Sequence, residues 1–335
     1  MPFVPAHQPI LPMPSSNTAL AQRVLDWADA LAEHTDEPGR LTCAYLTPAH
    51  RATADRLHEW MLACGFDSVR RDAVGNVIGR YNAAPGAVAP ALVATGSHYD
   101  TVRNGGRYDG RLGILAPMAV VAGLHAEGRR LAFDLEVVGF AEEEGLRFGG
   151  SFMGSSAYAG CYDTAMLDLR DRDGVILRQA MLEAGLDPAR IPQAAVDARR
   201  LRHYFEIHIE QGPVLLERGL ALGVVTSIAG CVRRHLVLEG QAGHAGTTPM
   251  DMRRDAAAAA AEIVLAVERR CSGVPGLVGT VGMLEVPGGS VNVIPGRCEL
   301  SLDVRAGEDA VRDAALVDLE REIAELFLDV LGVTL

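Results

Sequence analysis

The sequence predicts an α/β protein with a mostly parallel sheet flanked by helices, followed by a smaller α+β domain of ferredoxin-like layout. Over residues 1–215, apolar runs of strand length alternate with helix-length segments, which is the pattern of a layered α/β domain. Over residues 216–335 the predicted order becomes strand–helix–strand–strand–helix, which is typical of an α+β sandwich. Two domains also agree with the length of 335 residues, at about 150 residues per domain.

Local signals place the elements of the first domain. Ser16 or Asn17 can cap a first helix, and Thr47 followed by Pro48 is a strong start for a second. A turn at 75–76 splits an alternating segment into a hairpin. We therefore predict helices over 15–34, 47–65 and 112–125, a hairpin over 68–82, and buried strands over 91–95, 133–141 and 202–209.

The second domain is predicted from its alternation and its amphipathic helices. An alanine-rich segment with charged ends indicates a helix, because alanine is the best helix former. The last helix carries apolar side chains at helical spacing. The predicted elements are a strand over 235–240, a helix over 251–270, strands over 277–284 and 291–303, a helix over 308–330, and a strand that begins over 331–335.

Charge and composition exclude several classes of function. The chain has 31 Lys and Arg against 43 Asp and Glu, a formal net charge of −12, which disfavours binding to nucleic acid or to anionic membranes. Its six cysteines form no CxxC pair, so neither a disulfide framework nor a cysteine zinc cage is expected. With neither a signal peptide nor an apolar run of about 20 residues, we expect a soluble, cytoplasmic protein.

Polar residues follow three predicted strands of the first domain. His98 and Asp100 end one strand, a carboxylate triplet at 142–144 ends the next, and His208 ends the third; Asp109 follows shortly after the first. Ligand sites of open α/β sheets lie outside the carboxyl ends of the strands. A lone histidine is usually packed, and a glutamate triplet is usually a solvated turn, but together these residues predict a pair of divalent metals, Zn²⁺ or Mn²⁺.

Asp100 has a predicted role of its own. It lies two residues after His98 on an extended chain, so both side chains point the same way. A carboxylate in that position can hold the histidine ring in the tautomer that a metal requires.

Five motifs give the chain a marked resemblance to a known family. They resemble the dinuclear-metal amidohydrolases of the aminoacylase/carboxypeptidase superfamily, and most closely the allantoate amidohydrolase and N-carbamoyl-L-amino-acid hydrolase group. The resemblance runs from the first helix to the end of the chain. The motifs are GSHYDTVRNGGRYDG, AEEEGLRFGGSFMGS, HIEQGPVLLERG, AGHAGTTPM and VNVIPG.

The resemblance implies a role for each candidate residue. His98 and His208 would each ligate one metal, Asp109 would bridge both metals, and Glu144 would ligate the second. Glu143 would be the general base. A catalytic domain over 1–215 and a lid and dimerisation domain over 216–335 are implied, in a homodimer. The residues implied to hold the substrate are Gln211, Asn292, Arg305 and His244, the last also polarising the scissile carbonyl and often coming from the partner subunit.

Spacing alone leaves some of these roles open. From spacing alone, Arg305 is expected to form a surface salt bridge with Asp303 or Glu308, and His244 is expected to lie in a glycine-rich loop. The family supplies one more histidine ligand after the lid, whereas the chain's histidines all precede residue 245. We therefore expect a fragment that lacks the C-terminal part of the catalytic domain, and an inactive dimerising or binding chain is an open alternative.

The resemblance also limits the substrate. The reaction is expected to be hydrolysis of a ureido or carbamoyl C–N bond in a small carboxylated molecule. The tract from Gly96 to Gly113, with Tyr99, Arg103–Asn104 and Arg111, favours allantoate. An N-carbamoyl-L-amino acid is the alternative substrate, and an aminopeptidase of the same superfamily is less favoured.

Overall fold

The structure is a computed structural model that describes residues 16–326. Two compact units divide the chain after Gly219, close to the predicted boundary at 215. Ser15, at the predicted start of the first helix, lies outside the described residues. So do residues 327–335, which carry the predicted end of the last helix and the start of a further strand.

The first unit alternates strands and helices, as predicted, over most of its length. A segment between its fourth and fifth strands, for which no element was predicted, folds into two short helices and two 3₁₀ turns. In chain order the elements are α1 (Asn17–Ala32), α2 (Pro48–Ala63), β1 (Ser68–Arg71), β2 (Val77–Tyr81), β3 (Leu92–His98), α3 (Leu112–Ala126), β4 (Asp134–Phe140), α4 (Met153–Ala159), α5 (Leu177–Glu183), β5 (Leu201–Phe205) and α6 (Val214–Glu217).

The helix starts follow the predicted capping chemistry. The Ser16 side chain accepts a hydrogen bond from Ala19 N at 3.3 Å, and the Thr47 side chain accepts one from His50 N at 3.3 Å. Each bond satisfies one N–H group that the first turn of a helix leaves free. Pro48 occupies the first position of α2, where its missing N–H costs nothing.

The sheet of the first unit is mixed. Its described strands lie in the order β1-β2-β4-β3-β5. β3 pairs in parallel with both β4 and β5, whereas β2 pairs antiparallel with both β1 and β4. The α/β class is confirmed, but the expectation of a mostly parallel sheet needs this correction. The turn of the hairpin accounts for the antiparallel pair of β1 with β2, because a short turn can join only antiparallel strands, and β2 then also pairs antiparallel with β4.

Helix α3 is buried against the sheet and carries the most apolar sequence of the unit. It contacts β3 and α1 and continues through Pro117. Ile114, Leu115, Met118 and Val121 are all fully buried. Among residues 16–326, no helix combines the length and the apolar character needed to cross a membrane.

The longer elements of the second unit follow the predicted strand–helix–strand–strand–helix order, and three strands of two residues are added to it. In the main sheet the described order is β6 (Gly230–Glu239), β11 (Arg297–Ala306) and β8 (Leu277–Thr280), β9 (Leu284–Glu285) also pairs with β11, and both helices pack against this sheet. The alanine-rich helix begins later than predicted, because Asp255 rather than Asp251 caps it by accepting Ala257 N at 2.9 Å. The elements are β6 (Gly230–Glu239), β7 (Gly243–His244), α7 (Ala256–Cys271), β8 (Leu277–Thr280), β9 (Leu284–Glu285), β10 (Val293–Ile294), β11 (Arg297–Ala306) and α8 (Asp309–Leu326).

Candidate metal centre

Three of the four predicted metal ligands meet at the end of β3. Asp109 Oδ1 lies 3.7 Å from His98 Nε2 and 3.3 Å from His208 Nε2. The two imidazole rings are 5.9 Å apart between centroids. One nitrogen or oxygen from each of the three residues lies within 4.8 Å of the others, so a single cation could be shared among them.

The fourth predicted ligand belongs to a second, overlapping group. His98, Glu143 and Glu144 also each bring one donor atom within 4.8 Å of the others. The two glutamates lie in the loop that follows β4, which pairs in parallel with β3, so both strands end at the same edge of the sheet. His98 is therefore the residue that the two groups share.

Asp100 takes the position predicted beside His98. His98 Nδ1 lies 3.0 Å from the Asp100 carbonyl oxygen and 3.4 Å from Asp100 Oδ1. Since a carbonyl oxygen only accepts, Nδ1 carries the proton and Nε2 faces Asp109. The Asp100 carboxylate, which is 1% exposed, also accepts hydrogen bonds from the backbone N–H groups of Glu143 and Glu144 at 3.0–3.1 Å.

The charges of the site shift the pKa values of its members. Burial lowers the pKa of His98, but hydrogen bonds to Asp100 and Asp109 outweigh burial and raise that pKa to about 11. The hydrogen bond to Asp109 likewise raises the pKa of His208. Hydrogen bonds from His208 and His98 hold the pKa of Asp109 well below its usual range. The space around Asp109 Oδ1 thus favours positive charge.

The two glutamates have raised pKa values, whereas the pKa of Asp109 is lowered. Burial is the largest effect on both, and it raises the pKa of Glu143 and raises that of Glu144 to about 7. Neighbouring carboxylates, including Asp100 and Asp109, add to the rise. Carboxyl groups with raised pKa values beside histidines with raised pKa values are typical of a functional site.

Two positions near the site leave no room for a side chain. A Cβ on Gly110, whose φ is +65°, would lie 2.4 Å from the His98 carbonyl oxygen and 2.5 Å from the ring atom Nε2. A Cβ on Gly96 would lie 2.0 Å from the Val138 carbonyl oxygen of β4. Real Cβ contacts do not reach such distances, so both positions require glycine.

The motif after β5 differs from its prediction in where the strand ends. The strand ends at Phe205 rather than at 209, so His208 lies in a loop and not at a strand end. Gln211, predicted to hold the substrate, donates from Nε2 to both oxygens of Asp109, at 3.1 and 2.9 Å. Neighbouring Glu210 accepts the backbone N–H groups at the start of α6.

Two buried ionisable residues at the site had no individual role in the sequence analysis. Glu142, the first residue of the triplet, is 1% exposed, and within residues 16–326 neither of its carboxylate oxygens has a hydrogen-bond partner. Burial raises its pKa well above the usual range. Arg111 is fully buried and donates from Nε to the Tyr99 carbonyl oxygen at 3.2 Å. The sequence analysis used Arg111 only as part of the tract that favours allantoate.

The second unit gathers two of its three predicted substrate residues. His244 pairs with Val293 between β7 and β10, and Ala245 N donates to the Asn292 carbonyl oxygen at 3.0 Å. Arg305 lies on β11, where it donates to both carboxylate oxygens of Asp303 at 2.8 Å. The salt bridge considered as an alternative therefore exists, and it raises the pKa of Arg305.

The residues of the first unit fit a divalent metal pair. Imidazole nitrogens and carboxylate oxygens are the donors that Zn²⁺ and Mn²⁺ accept in proteins. His98 has the orientation that a metal ligand needs, with one ring nitrogen held by Asp100 and the other facing Asp109. Asp109 offers a carboxylate already placed between two imidazoles.

Comparisons with known proteins find a matching family model and several similar proteins. The model of peptidase family M20/M25/M40 matches residues 94–329. The chain is 43% identical over 296 residues to the N-carbamoyl-L-amino acid amidohydrolase of Geobacillus stearothermophilus. The aligned region covers 88% of this chain and 70% of that protein. It is 35% identical over 319 residues to allantoate deiminase 1 of Glycine max, with coverages of 88% and 65%.

A solved structure shows the same architecture. A hydantoinase/carbamoylase family amidase from Burkholderia ambifaria superposes with a TM-score of 0.80 at 33% identity. The superposition covers 96% of this chain and 77% of that one. The mixed α/β fold described above is therefore shared with a protein of known structure.

Proposed function

The chain belongs to peptidase family M20/M25/M40, and from that membership we propose that it hydrolyses the carbamoyl C–N bond of an N-carbamoyl-L-amino acid. At the coarser level it is a hydrolase of C–N bonds, as its relatives are. The observation that carries the proposal is the convergence of His98, Asp109 and His208 beside Glu143 and Glu144.

Four side chains would hold a dinuclear metal site, and a fifth would orient one of the four. His98 and His208 would each ligate one of the two ions, Asp109 would serve both, and Glu144 would ligate the second. When bound, two Zn²⁺ or Mn²⁺ ions would supply Lewis acidity, which activates a water molecule and polarises a carbonyl oxygen. Gln211 donates to both oxygens of Asp109 and would keep that carboxylate oriented.

Glu143 is the proposed general base. It shares a group of donor atoms with His98 and Glu144, and burial raises its pKa toward the range useful for proton transfer. It would take a proton from the attacking water and deliver it to the leaving nitrogen. Asp100 would fix the Glu143 backbone through the hydrogen bonds to its N–H group.

Allantoate is the second candidate substrate. The deiminase relatives and the tract from Gly96 to Gly113 favour it. Two residues of that tract, Tyr99 and Arg111, are fully buried and each donates one hydrogen bond to a backbone carbonyl group, so neither has an exposed surface that a substrate could contact. Arg103 is the exposed exception, and it pairs with Glu37 at 2.9 Å. The support for allantoate is therefore weaker than that for an N-carbamoyl amino acid.

An ammonia-release assay tests the proposal. The chain would be stripped of metal, reloaded with Zn²⁺ or Mn²⁺, and given N-carbamoyl-L-leucine or allantoate. Hydrolysis of an unblocked dipeptide, which releases no ammonia, would be followed in parallel by the release of free amino acid. We expect the highest kcat/KM with the carbamoyl amino acid, and loss of turnover with a chelator. Faster turnover of allantoate selects the second candidate. Absence of turnover on all three after reloading would favour the non-catalytic alternative.

Three further assignments remain predictions. Substrate roles for His244, Asn292 and Arg305 follow from the family resemblance, as does the homodimer. Light scattering would detect a homodimer as a mass of twice 35.6 kDa. A cytoplasmic location is also a prediction, which fractionation of cells expressing the tagged chain would test.

A further inference from the structure

Side chains, not neighbouring strands, hold both backbone polar groups of Ala141. Strand β4 ends at Phe140, one residue earlier. The Ala141 N–H donates to Asn76 Oδ1 at 2.9 Å, and the Ala141 carbonyl oxygen lies 2.6 Å from His50 Nε2. Asn76 is fully buried and His50 is 2% exposed. Leaving a buried backbone group without a partner is unfavourable, so these two bonds fix the place where the chain leaves the sheet.

The orientation of the Asn76 amide is itself fixed. Its Nδ2 donates to Asp72 Oδ2 at 2.7 Å and to the Gly154 carbonyl oxygen at 2.9 Å. Its backbone N–H donates to Asp72 Oδ1 at 2.9 Å. Since both acceptors require the NH₂ group, Oδ1 must face Ala141.

His50 is held as a neutral donor. Its ring stacks on Tyr99, with centroids 4.6 Å apart, and meets the ring of Tyr45 edge to face at 5.2 Å. Burial lowers the pKa of His50 to about 4, so the ring is neutral at pH 7. Because a backbone carbonyl only accepts, the proton of the neutral ring lies on Nε2 and is donated to Ala141.

The position of Ala141 sets the start of the glutamate loop, because Glu142, Glu143 and Glu144 follow it directly. Helix α4 supports the same loop, where Gly154 N donates to the Glu142 carbonyl oxygen at 3.2 Å. A Cβ on Gly154 would lie 2.5 Å from Asn76 Oδ1 and 2.8 Å from Ala141 N. Such a group would intrude on the hydrogen bond between those two atoms.

We propose that Asn76 and His50 are positioning residues, which place the Glu143 carboxylate for proton transfer by fixing the backbone of Ala141. The inference rests on the proposed function, because it takes Glu143 as the base. Neither side chain needs to touch the substrate. A misplacement of about 1 Å in a catalytic group lowers rate about a hundredfold, so a small shift of this loop is sufficient.

Steady-state kinetics on N-carbamoyl-L-leucine test the inference. We expect Asn76→Ala and His50→Phe to lower kcat about a hundredfold while KM changes less than about threefold. His50→Gln retains an N–H donor, so we expect its kcat to be at least about tenfold higher than that of His50→Phe. With Co²⁺ as the probe, both damaging variants should shift its visible absorption bands, because the moved loop also carries Glu144.

Two further variants separate positioning from general stability. Gly154→Ala should reproduce the kinetic loss, since it disturbs the same hydrogen bond from helix α4. Leu31→Ala empties a fully buried core position on α1 and should lower the melting temperature without the hundredfold loss in kcat. Circular dichroism would establish that every variant is folded at the assay temperature.

The possible failures are distinguishable. If wild-type protein reloaded with metal releases no ammonia from any substrate, the proposed function fails. If wild type turns over but Asn76→Ala and Gly154→Ala keep kcat within about threefold, the positioning inference fails alone. An equal loss of kcat in Leu31→Ala would also overturn it, since stability would then explain the effect.

Discussion

The Asp100 carboxylate accepts the backbone N–H of Glu143 with both oxygens, each at 3.1 Å. Asp100 also receives Nδ1 of His98 on its own carbonyl oxygen at 3.0 Å. One buried residue thus joins the end of β3, which carries a proposed metal ligand, to the loop that carries the proposed base. The two parts of the site cannot move independently while these bonds hold.

Asp100→Asn should weaken metal binding. An amide keeps one acceptor oxygen, but its NH₂ group would replace Oδ1, which now accepts the Glu143 N–H and lies 3.4 Å from His98 Nδ1. Loss of a carboxylate behind a metal-bound histidine typically lowers affinity about 10–100-fold. Competition with a chromophoric chelator would measure the metal affinity of the variant and of the wild type. Asp55→Asn, an exposed carboxylate on α2, is the control and should leave the affinity unchanged.

Glu143→Gln should abolish turnover and leave the metals bound. The amide cannot take a proton from water, and loss of a general base lowers rate about 10²–10⁴-fold. Elemental analysis should still find two metals per chain. Glu144→Gln is the comparison, and it should lose one of the two. Turnover of Glu143→Gln near that of wild type would show that another group is the base.

Gly110→Ala should displace His98. The added Cβ would meet the His98 ring at 2.5 Å in a backbone conformation with φ of +65°, so the ring or the turn must move. We expect metal binding to weaken at least about tenfold, because a change that reorients a metal ligand lowers the affinity of the site. Gly106→Ala is a matched control four residues away, because a Cβ there has open space around it. Equal affinity in both variants would contradict the prediction.

His50 should make stability fall with acid. Burial lowers its pKa from 6.5 to about 4, so the unfolded chain binds more protons between these values. Its contribution is therefore complete above pH 6.5 and is lost as the pH falls toward 4. The linked loss between pH 7 and pH 5 is about 2 kcal/mol. Urea unfolding at both pH values should show that extra loss in wild type relative to His50→Phe; parallel pH profiles would contradict it.

Arg305→Gln should distinguish substrate binding from a surface ion pair. If the family role applies, kcat/KM falls more than about tenfold, the loss expected when a charged hydrogen bond to a carboxylate is removed. Stability should change by less than about 1 kcal/mol, since the pair with Asp303 is exposed. Arg297→Gln is the control, because Arg297 pairs with Glu299 on the same strand at 2.9 Å. Equal kcat/KM in both variants would leave Arg305 as a surface ion pair.

Local chemistry explains which elements were predicted well. Thr47 followed by Pro48 starts α2 where expected, because the cap and the missing N–H act within one turn. Periodicity placed β3 and β4 within a few residues, since burial on both faces leaves an apolar run in the sequence. The late start of α7 was missed because both Asp251 and Asp255 can cap a helix, and local sequence does not choose between them.

The amino-acid sequence alone determined the two-domain α/β organisation and the residue types of the site, because periodicity, caps and motifs act over short stretches of chain. The tertiary structure decided which of those residues meet. Asn76 and Ala141 are 65 positions apart, and Gln211 and Asp109 are 102 apart. No local pattern encodes such pairs, since they form only when the packing of several strands and helices brings distant backbone to the same place.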